Sequence, residues 1–316
     1  MQTSSAIDQM IENGVYVLPT LLEPSSATAM LKKIQSARPF DASIFMDEAT
    51  FNANPRYLHT NPGPGFNLLE DFSEDLAFVE QNPTLQQTLH TLIGVNYQCL
   101  LKKVICGVPK SWIPNWICQK IAGTAVKNLN CYIQPQYRNV THFHGIDFHQ
   151  DVIDWPEGRD GVKTKDMITL YVYLHDVSEL DSPLYLLPKS HKMGATLFPH
   201  NLTRHKAQNN TWQYTDDQNR TSLVPELILT GQTGYCAMWH SCTLHGTMPI
   251  ASEQRNTCLR PRISLRYLLT RSTTPSPLGI DAVNAAIGGP LSLKNTRKDL
   301  DETGKATLKV NHINNQ

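Results

Sequence analysis

The chain has 316 residues, of which 40% are hydrophobic, enough for one large domain with insertions or two intimate ones. Lysine plus arginine and aspartate plus glutamate balance at 28 each, so no net field is available to hold a polyanion; the expected partner is a small molecule and not a nucleic acid. No apolar run approaches the ~20 residues that span a bilayer, and residues 1–13 lack the basic flank and apolar core of a signal peptide, so a cytoplasmic protein without membrane contact is expected.

Ile7, Met10 and Ile11 stand at helical spacing up to Gly14, and a short strand-like run over 15–19 follows. Ser25 and Ser26 then precede Met30, Leu31 and Ile34, the start of a second amphipathic helix. Residues 39–65 lose periodicity and contain Asn61-Pro62-Gly63-Pro64-Gly65, a long loop that is either a lid over a site or a plain connection. Residues 75–92 read as helix. Strand-type segments follow at 100–104, 129–133, 167–174, 184–187, 224–229, 234–239 and 263–269. Helices first and irregularly spaced strands afterwards predict a mainly β chain, a double-stranded β-helix (jelly roll, cupin-like) with flanking helices. A single domain over 1–291 is expected, interrupted by a polar insertion at 198–222 and followed by a polar tail at 292–316. The seven cysteines are odd in number and show no CxxC spacing, which argues for reduced thiols rather than disulfides or a zinc site.

The densest chemical signal is residues 141–156, THFHGIDFHQDVIDWP, with three histidines and three aspartates. In an extended segment His149 and Asp151 share a face and Gln150 takes the other, so one imidazole and one carboxylate can grip a single metal. A third ligand from a later strand would complete the two-histidine, one-carboxylate triad that suits ferrous oxygen chemistry. His240 and His245 lie five apart, on opposite faces of a regular strand, and His245 beside Gly246 is the better ligand. A cupin-type set of His142, His144 and His149 is the competing metal reading; His142 and His144 otherwise line an entrance or form hydrogen bonds. Trp112, Trp116 and Trp155 could wall a substrate pocket or pack a core.

With these residues in view, the chain resembles the phytanoyl-CoA dioxygenase family of iron(II) and 2-oxoglutarate oxygenases. Residues 12–19, ENGVYVLP, look like that family's opening strand, and His149-Gln150-Asp151 matches its HxD motif. Leu174-His175-Asp176-Val177 with Asp181-Ser182-Pro183-Leu184 and Pro188-Lys189-Ser190-His191 is similar to its most specific segment. The resemblance implies Fe(II) held by His149, Asp151 and His245, with 2-oxoglutarate as cosubstrate and O₂ as oxidant. It also implies an arginine for the distal carboxylate. Arg260, four residues before Ser264, is favoured and Arg262 is the second choice; Thr247 is the hydroxyl partner and Tyr171 flanks the cosubstrate or packs the core. The implied reaction is hydroxylation of an unactivated C–H bond in a small molecule, with desaturation, cyclisation or epimerisation as variants. Asp151 stands where related halogenases carry a small residue, which disfavours halogenation. No basic cluster resembles a coenzyme A clamp, so a specialised metabolite or amino-acid-like compound is preferred as substrate. A non-catalytic small-molecule-binding jelly roll is the alternative from another class.

Overall fold

A computed structural model describes residues 5–54, 68–153, 164–247, 260–271 and 278–298. Helix α1 (Ala6–Asn13) starts on a Ser5–Asp8 capping box and stops at Gly14, whose φ of +68° suits a residue without a side chain. Strand β1 (Val15–Val17) leads to α2 (Pro24–Ala37), whose buried stripe of Ala27, Met30 and Ile34 repeats at three- and four-residue spacing. Short α3 (Glu48–Asn52) and α4 (Ala77–Glu80) precede α5 (Pro83–Ile93) and the long strand β2 (Gln98–Gly107). After α6 (Asn115–Ile121) come β3 (Val126–Asn128), β4 (Thr141–Ile146), β5 (Met167–Tyr173) and β6 (Leu184–Leu186). Strands β7 (Asn201–Arg204), β8 (Thr211–Thr215) and β9 (Thr221–Pro225) make a meander, and β10 (Leu227–Leu229), β11 (Cys236–His240), β12 (His245–Gly246), β13 (Arg262–Thr270) and α7 (Gly279–Ala285) follow.

The strands form a jelly roll. The major sheet has the order β1-β11-β5-β13-β2-β4-β3 and the minor sheet β10-β6-β12, while β7-β8-β9 stand apart as a third sheet. Every residue of β5 is buried because the strand is covered on both sides. Ile168, Leu170 and Val172 pack into the core shared with the helices, while Tyr171 and Tyr173 join Leu184, Leu186 and Leu229 between the two sheets. Residues paired across a ladder share a face. The registers Trp239↔Thr169, Tyr171↔Arg266, Tyr173↔Ser264 and Gly107↔Arg262 therefore line up Thr169, Trp239, Arg262, Ser264 and Arg266 on the inner face with Tyr171.

The sequence reading departs from this fold where side chains compete with the backbone. The expected helix over 75–92 breaks because Asn82 caps the Leu85 N–H at 3.1 Å and Pro83 opens a new helix. The expected strand at 129–133 is a 3₁₀ turn, with Asn130 donating to the Val140 carbonyl at 2.8 Å and accepting from the His142 N–H at 2.7 Å. The run at 224–229 divides at Pro225, so β9 and β10 join different sheets. Within the 198–222 insertion lie β7, β8 and the start of β9, and part of the tail packs on it: Phe198 bridges Arg297, and Thr296 is buried. The Gly/Pro-rich half of the 39–65 loop, Trp155 and residues 299–316 fall outside the described residues.

Gly14 is tied down beyond its turn. Its carbonyl accepts from the His240 N–H at 3.0 Å and the Thr243 hydroxyl at 2.8 Å, and a Cβ there would lie 2.5 Å from the His191 ring. Gly14→Ala combines left-handed strain with overpacking and is expected to destabilise the fold by about 2–4 kcal/mol. A lowered urea midpoint at unchanged slope would measure it; an unchanged midpoint would refute it.

Candidate active site

His149 and His245 face each other across an isolated antiparallel bridge, each donating its backbone N–H to the other's carbonyl at 2.9 Å. Their rings are 4.2 Å apart between centroids, and His245 Nε2 is 3.7 Å from Asp151 Oδ1. One ligand atom from each of the three residues lies within 4.8 Å of the others, and all three residues are buried. Asp151 opens a 3₁₀ turn rather than continuing a strand. It nevertheless shares a side with His149, while Gln150 turns away to donate to the Gly194 and Cys242 carbonyls at 2.8 and 2.7 Å.

The imidazoles are held in one tautomer. His149 Nδ1 sits 3.1 Å from the Asp147 carbonyl and His245 Nδ1 3.0 Å from the Thr243 carbonyl. A carbonyl only accepts, so each Nδ1 carries the proton and each Nε2 keeps its lone pair for a metal. Burial, then the nearby His245, holds His149 well below the ordinary histidine range and therefore neutral. Burial pushes the Asp151 carboxyl up, but Arg266, His245 and the Thr169 hydroxyl outweigh it and bring it to about 2. Thr169 Oγ1 donates to Oδ2 at 2.6 Å and Arg266 Nη2 donates to Oδ1. An ionised carboxylate beside two imidazoles that each turn Nδ1 to a carbonyl and Nε2 inward is the donor set of an open, oxygen-activating iron site.

Two residues of this environment, Thr169 and Arg266, were not singled out by the sequence. The signal that would have found them is a period of two: Thr169 and Tyr171 on β5, and Arg262, Ser264 and Arg266 on β13, are polar or aromatic positions alternating with aliphatic ones. Thr169→Val removes a hydrogen bond to a ligand and is expected to weaken Co(II) binding about 10–100-fold by titration calorimetry, with the fold intact.

The other candidates occupy distinct places. His240 faces away from the triad, with Nε2 3.1 Å from the Lys165 carbonyl and from Asn284 Oδ1. The cupin-type set does not assemble. His142 pairs in register with Cys106 of the helix-side core, and His144 Nδ1 bonds the Val108 carbonyl at 2.9 Å. Trp116 is half-buried and packs against Phe51 and Tyr132 in a small aromatic cluster. Thr247 accepts from the Ile146 N–H at 3.0 Å, and Tyr171 stacks on Trp239 at 5.8 Å.

The two arginines differ sharply. Arg260, which the resemblance favours, has a side chain 63% exposed and forks onto Asp181, with Nη2 3.0 Å from both carboxylate oxygens. Arg262 is 2% exposed, its guanidinium lies 5.9 Å over the Tyr171 ring, and Nη1 donates to the Ser182 carbonyl. Its side chain lies over Gly107, where a Cβ would meet Arg262 Nη2 at an ordinary contact distance of 3.5 Å. Arg262 Nε, Ser264 Oγ and Trp239 Nε1 are buried without a hydrogen-bond partner. Trp239 packs at 4.9 Å on His245 and stacks on Tyr171, and Tyr171 in turn faces Arg262, so a row of inner-face groups links the triad to the arginine.

A family model described as phytanoyl-CoA dioxygenase (PhyH) matches residues 10–258, from the first helix past the last triad histidine. The chain belongs to that family. Its chemistry is accordingly that of an iron- and 2-oxoglutarate-dependent oxygenase, and the donor set and tautomers above suit it. Among solved structures the chain is similar to the epimerase SnoN in complex with Fe3+, alpha ketoglutarate and nogalamycin RO, at 14% identity over 92% of this chain and 96% of that one, with a TM-score of 0.45. It is also similar to EvdO2 from Micromonospora carbonacea var. aurantiaca complexed with 2-oxoglutarate, at 12% identity, 86% and 94% coverage and a TM-score of 0.43. A third is EctD from S. alaskensis with bound Fe, at 14% identity, 94% and 90% coverage and a TM-score of 0.44. A comparison with curated protein sequences gave no match. No helix among the described residues is long and apolar enough to cross a membrane.

Proposed function

We propose that this chain, a single oxygenase domain, hydroxylates an unactivated C–H bond of a small molecule, with His149, Asp151 and His245 as the iron ligands and Arg262 with Ser264 as the 2-oxoglutarate anchor. The observation that carries the reading is a set of buried, unsatisfied donors on the inner face of the major sheet, Arg262 Nε, Ser264 Oγ and Trp239 Nε1, the last packed on His245. Unpaired buried donors are costly, and three of them on one sheet face match a ligand rich in carboxylate oxygens. Arg262 offers the planar fork that a carboxylate prefers, and Ser264, two positions on, offers a hydroxyl on the same face.

When bound, iron(II) would activate O₂, the oxidant, with two of its four electrons coming from 2-oxoglutarate, which leaves as CO₂ and succinate, the succinate carrying one oxygen atom, and two from the substrate C–H bond, which takes the other. The protein's part is to fix the ligands, exclude water and orient the substrate. Asp151 stays ionised and is steadied by Thr169, and Arg266 balances its charge inside the barrel. The stacked Tyr171 and Trp239 give the cosubstrate a flat, dry wall. The substrate proposed is a specialised metabolite or amino-acid-like compound.

The test is succinate release from 2-oxoglutarate that requires both ferrous iron and O₂, followed by mass spectrometry of a metabolite panel. Gain of one oxygen atom supports hydroxylation, whereas loss of two hydrogens would identify desaturation or ring closure. Folded, metal-loaded protein that makes no succinate would refute the oxygenase reading and favour a binding protein.

Arg266 gives a separate prediction. Arg266→Met leaves Asp151 charged and buried without its cation, so the metal-free protein is expected to lose about 3–5 kcal/mol of stability. Added Co(II) should restore much of it by supplying the missing charge, and thermal unfolding with and without metal measures both effects. Equal destabilisation in the two states would show that Arg266 acts only through packing.

A further inference from the structure

On the side of the major sheet away from the triad, the helical core holds a second buried polar cluster that the reaction does not use. Arg38, the residue after α2, is 6% exposed, with its guanidinium 5.5 Å from the Phe40 ring and 5.1 Å from the Tyr137 ring. Nη1 donates to Asn139 Oδ1, but Nε and Nη2 have no acceptor. His142 is fully buried, and neither ring nitrogen makes a well-formed hydrogen bond, the neighbouring Val140 carbonyl being taken up by Asn130 at 2.8 Å. Burial, and after it the Arg38 charge, pushes this histidine down to about 3, so it is neutral and presents one N–H.

No described carboxylate pairs with Arg38. The segment leading into Leu68, whose N–H bonds the Asn139 carbonyl, has no aspartate or glutamate between residues 55 and 67. The Cys106 thiol is pushed up to about 12 by burial and stays neutral, so it supplies no countercharge. A buried guanidinium with two idle donors, next to a third donor on a neutral imidazole, calls for negative charge as well as hydrogen-bond acceptors. Water meets only the second need.

We propose that Arg38 and His142 form a buried site for a small monovalent inorganic anion of chloride size, enclosed by Phe40 and Tyr137 and separate from the metal centre. The anion would accept from Arg38 Nε and Nη2 and from the His142 ring, neutralising the one charge that the helical core leaves uncompensated among the described residues. Its role is structural: it joins the end of α2 to β4, the strand that leads toward His149 and Asp151.

The test uses bromide and chloride on the whole protein. Crystals soaked in sodium bromide should show an anomalous peak between Arg38 and His142. The unfolding midpoint should rise in sodium chloride relative to sodium gluconate at equal ionic strength, by about 2–5 °C at a hundredfold excess over the dissociation constant. Arg38→Met should abolish the chloride dependence; should that variant not fold, the wild-type bromide and chloride measurements decide alone. A bromide peak with midpoints indifferent to chloride would mean an adventitious ion only and overturn the proposal. Absence of the peak, with an uncharged water in its place, would overturn it as well.

Discussion

Alanine at His149, Asp151 or His245 is expected to abolish metal-dependent turnover and to weaken Co(II) binding by more than about 100-fold, beyond the range typical of outer hydrogen-bonding partners. Each residue supplies a different ligand atom to a group already drawn within 4.8 Å, so the two that remain cannot close the site. His144→Ala should bind metal near the wild-type level, because His144 bonds the Val108 carbonyl and does not join the group. Near-stoichiometric Co(II) uptake by all three ligand variants, measured on folded protein, would overturn the assignment.

This part of the site was legible in the sequence because side-chain parity survives local irregularity. The HxD segment is not a strand, since Asp151 begins a 3₁₀ turn, yet His149 and Asp151 still share a side. His245 was legible for a similar reason, as the histidine beside a turn with His240 facing the other way. The different surroundings of the two arginines were harder to read. Arg260 and Arg262 share a face only if both belong to a strand, but the ladder begins at Arg262, and outside it Arg260 is free to fork onto Asp181 at the surface. Likewise nothing in the spacing of 75–92 outweighs its helical periodicity, although Asn82-Pro83 carries the cap that divides it.

The second large effect is expected at Arg262. Truncating one partner of a buried, hydrogen-bonded charge pair costs about 2–5 kcal/mol, because the other charge is left unpaired. At ~1.4 kcal/mol per decade, Arg262→Ala should raise the 2-oxoglutarate dissociation constant roughly thirty- to several-thousand-fold, while Co(II) affinity stays near wild type. Arg260→Ala, which removes an exposed ion pair, should change the constant little. Titration of 2-oxoglutarate into Co(II)-loaded, oxygen-free protein reads both. A large effect at Arg260 with none at Arg262 would move the anchor to the barrel's outer rim.

The reciprocal backbone pairing of His149 and His245 has a consequence for how the site could change over time. The two imidazoles are positioned by a shared main-chain register, so a slip of one residue on either side would turn its ligand to the opposite face rather than nudge it. Such a centre has no graded intermediates. Insertions in β4 or before β12 would therefore be purged unless they leave that single pairing untouched, whereas the third sheet and the loops around the mouth can lengthen and diversify freely. Variation in what the barrel admits is thereby uncoupled from the part that cannot vary.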